Sequence, residues 1–330
     1  MVFLSIFFLA FIPALIYARI TYWMDRYEKE PRLLLFGAFF WGAIVAAGGA
    51  YILNTVFGIA VYAVTADPLL TDFTTGTFSA PLVEESLKGF AVLLIFLIFR
   101  HEFDSVLDGI VYAAITALGF AATENVLYMY QVGYVDGGWE GMWAIFFLRV
   151  VLGAWNHPTY TAFTGIGLAA ARLNRSSIAK LLLPVGGFTI ALFTHFLHNA
   201  LASFATEEGG VALLFAVDWF GWLFIFGIMN WAIRRERMWI RFHLQQEVHD
   251  GLLSPQQYAV VTSPFKRGMA SVGGLGNGQY HNTKKFYQYC TELAFKKQQI
   301  ARLGSGTGNT MEDIHELRTK IAQLAPRAGI

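Results

Sequence analysis

The chain of 330 residues has one cysteine, Cys290, which leaves no partner for an internal disulfide and no thiolate set for a cysteine-rich metal centre. Charge is also scarce. Asp, Glu, Lys and Arg make up 14% of the residues, where a soluble domain carries roughly 25%. The net charge is +1, which gives no reason to expect a nucleic-acid partner. No His-Glu-x-x-His occurs, so a zincin is excluded, and no Gly-x-Ser-x-Gly occurs to mark a serine hydrolase. The amino terminus lacks a basic n-region and a small-residue cleavage site. Residues 1–23 therefore read as a retained first span, not a removed signal.

What is present is long apolar runs. Hydrophobic residues make up 55% of the chain, and the charge deficit lies in the first 234. A span needs about 20 apolar residues. Residues 2–23, 33–64, 79–99, 107–130, 143–171, 178–204 and 211–233 qualify, so about seven spans are expected. The second and fifth are long and predict a tilt or a kink. Arg26, Lys29 and Arg32, then Arg100, then Arg172, Arg175 and Lys180, then Arg234, Arg235 and Arg237 fall on one side of such a bundle. The intervening loops carry no lysine or arginine. The positive-inside rule then puts the amino terminus outside and the tail in the cytosol of a prokaryotic cell. The expected fold is an all-α polytopic membrane helix bundle over 1–234, followed by a partly helical cytosolic tail over 235–330. In the tail, 236–249 reads as an interfacial helix, Ser254-Pro255 as a helix start and 268–278 as a flexible glycine-rich linker. Two more helices follow, over 282–303 and 310–324, joined by 304–308. Nothing in the tail reads as catalytic; it is open to a protein partner or to oligomerisation.

Ionisable residues inside apolar runs mark functional sites. Residues 81–96 place Glu84, Glu85 and Lys88 in the third span. Glu84 and Lys88 share a face at i,i+4, with Glu85 about 100° further round, so the lysine can hold one carboxylate while the other faces something else, and either glutamate is open to the role of base. The fourth span contains Glu124 and Asn125. The fifth contains Arg149, Asn156 and His157, and the sixth His195, His198 and Asn199. With the expected topology these groups share one depth, in the outer half of the membrane, where a common cavity lowers the cost of each. Lys88 and Arg149 are expected to neutralise carboxylates and His198 to make a helix contact. Asp108 is expected to serve a helix start, and Asp218 to be an interfacial residue without a matching neighbour.

Three chemistries are open to this set. Two imidazoles and a carboxylate, His157, His195 and Glu124, match a catalytic zinc shell. Alternatively, a glutamate activates water with no metal while His and Asn steady the oxyanion. The same groups also make proton relays in transporters.

The ordered set Glu84-Glu85-Ser-Leu-Lys88, Asp108-Gly109, Gly119-Phe120-Ala-Ala-Thr-Glu124-Asn125, Arg149, His157 and His195-Phe-Leu-His198-Asn199 resembles the PrsW family of intramembrane proteases. It is also similar to the type II CAAX prenyl endopeptidases. Glu124 stands where the CAAX pattern has histidine, and Lys88 arrives one residue earlier than its arginine; both favour the PrsW branch. The resemblance implies cleavage of single-span membrane proteins, with anti-sigma factors as the substrate type. It carries over Glu84, Glu85, Glu124, His157 and His195 as site residues, and it implies a metalloprotease, with zinc as the expected ion. His198 stands where an aromatic is the commoner residue.

Overall fold

The computed structural model describes residues 1–205, 208–275, 278–304 and 310–327, and every regular element among them is helical. Among the described residues fourteen α-helices follow one another. Val2–Met24 is α1, Arg32–Phe40 is α2, Ala47–Thr65 is α3, Pro68–Thr74 is α4, Ala80–Ile98 is α5, Val106–Tyr128 is α6 and Asp136–Ile145 is α7. Asn156–Arg172 is α8, Ser177–Phe204 is α9, Glu208–His249 is α10, Pro255–Val261 is α11, Pro264–Gly273 is α12, Tyr280–Leu303 is α13 and Thr310–Leu324 is α14. Four π-helical segments interrupt the apolar runs, at Trp41–Ala46, Thr75–Ser79, Met129–Val135 and Phe146–Leu152.

Five runs are long and apolar enough to cross a membrane: Val2–Met24, Arg32–Thr65, Val106–Arg172, Ser177–Phe204 and Gly209–His249. Val106–Arg172 contains two of the expected spans. Ala80–Ile98, a further expected span, carries Glu84, Glu85 and Lys88. The count of seven thus stays an expectation, whereas the membrane helix bundle is observed.

The chain divides into two compact units. The first comprises Met1–Met24, Glu30–Arg172 and Ser176–Met229. At its centre lies α6, which is buried along the whole stretch Leu107–Ala122. Ala, Gly and Thr supply much of that stretch, and small side chains let helix backbones approach closely. A Cβ on Gly109 would meet the Gly165 carbonyl oxygen of α8 at 2.2 Å, and one on Gly165 would meet the Gly109 oxygen at 2.0 Å. Gly42, first of the small-residue line Gly42–Ala46–Ala50, lies equally close to the Thr116 oxygen. Helix α6 starts with a capping box: Ser105 Oγ accepts from the Asp108 amide, and Asp108 Oδ2 accepts from the Ser105 amide at 2.7 Å. Outward faces carry Leu, Ile and Phe, as lipid contact requires.

The fifth expected span is not one helix. It breaks between Leu152 and Asn156, where Gly153 leaves the helical region and its amide donates to the Leu148 oxygen at 2.8 Å. Helix α8 restarts at Asn156, with Pro158 in its first turn, where a missing amide hydrogen costs nothing.

The second unit comprises Asp25–Lys29, Leu173–Arg175 and Asn230–Ile330. Its core joins Tyr27, Ile240, Leu244, Phe286, Cys290 and Leu293, among others. Residues 236–249 are not a separate interfacial helix but the last third of α10. Glu236, Ile240, Leu244 and Glu247 on this stretch are buried. Glu247 accepts from Lys297 and, at 2.8 Å, from Arg318. The expected linker 268–278 is helical through Gly273 as part of α12, while residues 276 and 277 lie outside the described residues. Helix α11 has its Ser254 cap, and α13 and α14 fall where expected. Of the link 304–308 only Gly304 is described, and Glu207, expected in the sixth loop, lies outside the described residues.

Candidate active site

Five helices bring the polar residues together inside the first unit. Helix α5 supplies Glu84, Glu85 and Lys88, α6 supplies Glu124 and Asn125, α8 supplies Asn156 and His157, and α9 supplies His195, His198 and Asn199. Helix α10 adds Asp218. Glu84, Glu124, His157, Tyr160, His195 and His198 line one cavity of about 500 Å³.

The two adjacent glutamates differ in their partners. Glu85 is fully buried and saturated. Its Oε1 lies 2.6 Å from Lys88 Nζ and 3.0 Å from His195 Nδ1, and its Oε2 accepts from Thr161 Oγ1 at 2.9 Å. Glu84 Oε2 is 3.8 Å from both Lys88 Nζ and His195 Nε2, is itself buried, and accepts no hydrogen bond. The lysine therefore pairs closely with Glu85 at i,i+3 and more loosely with Glu84 at i,i+4. Helical spacing allows both pairings, and His195 and Thr161, arriving from α9 and α8, gather around Glu85.

Carboxylates orient both imidazoles. His195 binds Glu85 through Nδ1, leaving Nε2 toward Glu84. Tyr160 stacks on its ring with centroids 4.8 Å apart. His157 Nε2 is 2.8 Å from Glu124 Oε2, and its Nδ1 is 3.1 Å from Lys88 Nζ. An ammonium group only donates, so Nδ1 accepts from Lys88 and the proton of His157 sits on Nε2. Arg149 pairs with Glu124 and donates through Nε to Asn125 Oδ1 at 2.9 Å. Tyr128 lies 3.9 Å beneath its guanidinium.

Asn199 lines the same cavity and donates its amide to the Gly76 oxygen at 2.8 Å, within the π segment Thr75–Ser79, and so ties α9 to that segment. Asp218 is not an interfacial residue without a neighbour. It is buried, accepts from Asn156 Nδ2 at 2.9 Å, and lies 2.9 Å from His198 Nδ1. Trp222 in turn donates to Asn156 Oδ1 at 2.8 Å.

Sequence reasoning missed Thr161 and Tyr160. Both follow His157 by one turn on α8, at i+4 and i+3, and that spacing was the available signal. The Tyr160 hydroxyl is buried on the cavity wall with no hydrogen-bond partner.

The donor set fits a metal ion. Glu84, His157 and His195 each offer a ligand atom, all within 4.8 Å of one another. His195, held at Nδ1 by Glu85 and turned through Nε2 toward Glu84, has the ligand-plus-orienter pattern of a catalytic zinc site, and His157, oriented by Glu124 at Nε2, would exchange its Nδ1 bond to Lys88 for the ion. The carboxylate in this trio is Glu84. Glu124, the expected ligand, is engaged instead with His157 Nε2 and Arg149.

Comparison with known proteins identifies the family. The family described as PrsW family intramembrane metalloprotease matches residues 30–231. The chain is 36% identical over 113 residues to Protease PrsW of Geobacillus kaustophilus, covering 34% of this chain and 46% of the relative. It is 34% identical over 131 residues to Protease PrsW of Clostridioides difficile, covering 39% and 52%. With Protease PrsW of Oceanobacillus iheyensis the identity is 30% over 202 residues, 61% of this chain and 82% of the relative. The chain thus spans about half the length of the first two relatives and most of the third. No solved structure matches. From residue 30 to residue 231, across every helix that lines the cavity except the first, the chain belongs to the PrsW family of intramembrane metalloproteases.

Proposed function

We propose that the chain is an endopeptidase that cuts single-span membrane proteins within or beside their spans. The observation that carries this reading is the Glu84 carboxylate, buried and unbonded on the wall of an intramembrane cavity, facing two oriented histidines. Glu84 accepts a proton from water, whose oxygen attacks the scissile carbonyl carbon. It then returns the proton to the departing amine nitrogen as the C–N bond breaks. The Tyr160 hydroxyl is the available donor for the oxyanion. Glu85 and Glu124 hold His195 and His157 in orientation, Lys88 steadies Glu85, and Arg149 with Asn125 steadies Glu124.

Glu84, His157 and His195 would hold a divalent ion, zinc being the expected one, which when bound supplies Lewis acidity to the carbonyl and to water. A carboxylate has two oxygens, so the roles of third ligand and proton acceptor are compatible for Glu84.

Finer features belong to the same reading. The alternation of basic loops supports an amino terminus outside and a tail in the cytosol, and the reading adds a prokaryotic plasma membrane, seven spans and a site in the outer half. Cuts then fall near the outer end of a substrate's span, and anti-sigma-like proteins are the substrate class. A proton-coupled transporter built on the same cavity is the rival. The break before α8 is a feature such proteins also use, but the family match favours hydrolysis.

The test is to map new amino termini in membranes of cells expressing the chain beside an E84A/E85A control. Termini near the outer ends of single-span proteins, absent from the control at equal expression, support the reading. Indistinguishable profiles sink it and move transport forward.

A further inference from the structure

Helix α12 reads Pro-Phe-Lys-Arg-Gly-Met-Ala-Ser-Val-Gly, without an acidic residue. Phe265, Met269 and Val272 follow one another at i, i+4 and i+7 and so share a face. They are 76%, 61% and 63% exposed. Three large apolar side chains in a row on a short helix are not an ordinary solvent face.

The other face of α12 is anchored. Ala270 packs against the core of the second unit. Arg267 Nη1 donates to the Tyr27 oxygen at 3.2 Å, and the Ser263 side chain caps the helix at the Lys266 amide. The apolar row is therefore held pointing outward.

Its level along the membrane normal follows from chain continuity. Tyr27 comes three residues after Met24, the last residue of α1, which is long and apolar enough to cross a membrane. A helix bonded to Tyr27 therefore sits where a membrane-crossing helix leaves the hydrocarbon. Asp25–Lys29, Leu173–Arg175 and the start of the tail at Asn230 all belong to the same unit. These are the segments that bring Arg26, Lys29, Arg175, Arg234 and Arg235 together on the basic side, which suits anionic headgroups.

We propose that α12 lies in the headgroup–acyl boundary of the bilayer, with Phe265, Met269 and Val272 inserted among the lipids and Lys266 at the phosphate level. Such a helix buries its apolar face about 5–10 Å into that boundary. The occupant of this face is lipid, and α12 seats the second unit on the membrane surface.

The single cysteine makes the test direct. Cys290 is fully buried, and burial pushes its thiol well up, so it resists labelling in the folded protein. Phe265→Cys, Met269→Cys and Val272→Cys, with Glu316→Cys as an exposed control on α14, are made in the full chain. Each is labelled with NBD and reconstituted into liposomes containing lipid spin-labelled near the headgroup. The expected result is blue-shifted emission and about twofold or greater quenching at 265, 269 and 272, from the shallow insertion depth, with neither at 316. Water-like, unquenched emission at all three positions would overturn the proposal. So would blue-shifted emission that the lipid label leaves unquenched, which would mean that a protein covers this face, whether a partner or a second copy. A variant whose Cys290 becomes reactive is misfolded and set aside; the remaining positions give the answer.

Discussion

At the scale of the residue, two neighbouring glutamates have opposite circumstances. Glu85 satisfies a lysine, a histidine and a threonine, while Glu84 satisfies nothing by hydrogen bonding. Glu84→Gln is expected to lower the cleavage rate by about 10²–10⁴-fold, the usual range for a lost general base, with little change in thermal unfolding in detergent. Glu85→Gln is expected to destabilise by up to about 3–5 kcal/mol, because it removes the close charge partner of the buried Lys88 ammonium and leaves only Glu84, at 3.8 Å. Equal melting temperatures for the two variants would contradict this division. Tyr160→Phe should cost roughly 10²-fold in rate, as the loss of one oxyanion donor does, while leaving the fold intact. Metal analysis of purified protein separates ligand from orienter. Glu84→Ala, His157→Ala and His195→Ala should each lose the bound ion, whereas Glu124→Gln should weaken it by about 10–100-fold. Retention in Glu84→Ala together with loss in Glu124→Gln would restore the ligand set expected from sequence. The charged residues of this cluster are singled out by the sequence, because charge in an apolar run is conspicuous, whereas Tyr128, Tyr160, Thr161 and Trp222 are not. Who pairs with whom was not legible. Spacing along one helix says which face a group occupies but not what the neighbouring helices bring to it.

Among the elements, close packing of α6 and α8 positions the site. The reciprocal approach of Gly109 and Gly165 leaves no room for a methyl group on either. Gly165→Val should push the helices apart and cost at least about 1–3 kcal/mol by overpacking. It should also impair cleavage, since His157 rides on α8 two turns away; normal activity in a stably folded Gly165→Val would refute that linkage. The helices themselves were largely legible from apolar periodicity, and α11, α13 and α14 from caps and patterning. The length of the fifth span predicts a tilt or a kink, but the position of the break, between Leu152 and Asn156, was not legible. Gly153 and Pro158 are its only local signs, and in a long apolar run both are equally compatible with a continuous span. The break matters because it puts Asn156 and His157 in the first turn of a new helix, directed at α5, α6 and α10 partners.

For the molecule as a whole, the region matched by the family runs from residue 30 to residue 231, and the second unit draws in Leu173–Arg175 from inside that region and Asp25–Lys29 from just before it. Thr291 and Arg267 both donate to the Tyr27 oxygen, at 3.0 Å and 3.2 Å. A chain ending at residue 231 lacks both donors. It should show faster trypsin cleavage at Arg26 and Lys29 than the full chain; unchanged cleavage would mean that the first loop is ordered without the tail. Composition and basic-loop alternation made the membrane region and the polar tail legible, but the tail's compact core was hidden. It is assembled from segments separated by more than 200 positions, with Tyr27 packed against α13, and no local pattern announces such pairing.

Helix α10 carries the final consequence. It runs without proline from Glu208 to His249. Asp218 near one end holds His198 and Asn156, and Glu247 near the other is fastened by Lys297 and Arg318. Each carboxylate acts within its own unit. Asp218 fastens Asn156 of α8 and His198 of α9 to α10 through a single side chain, so it is the keystone of the cavity's wall.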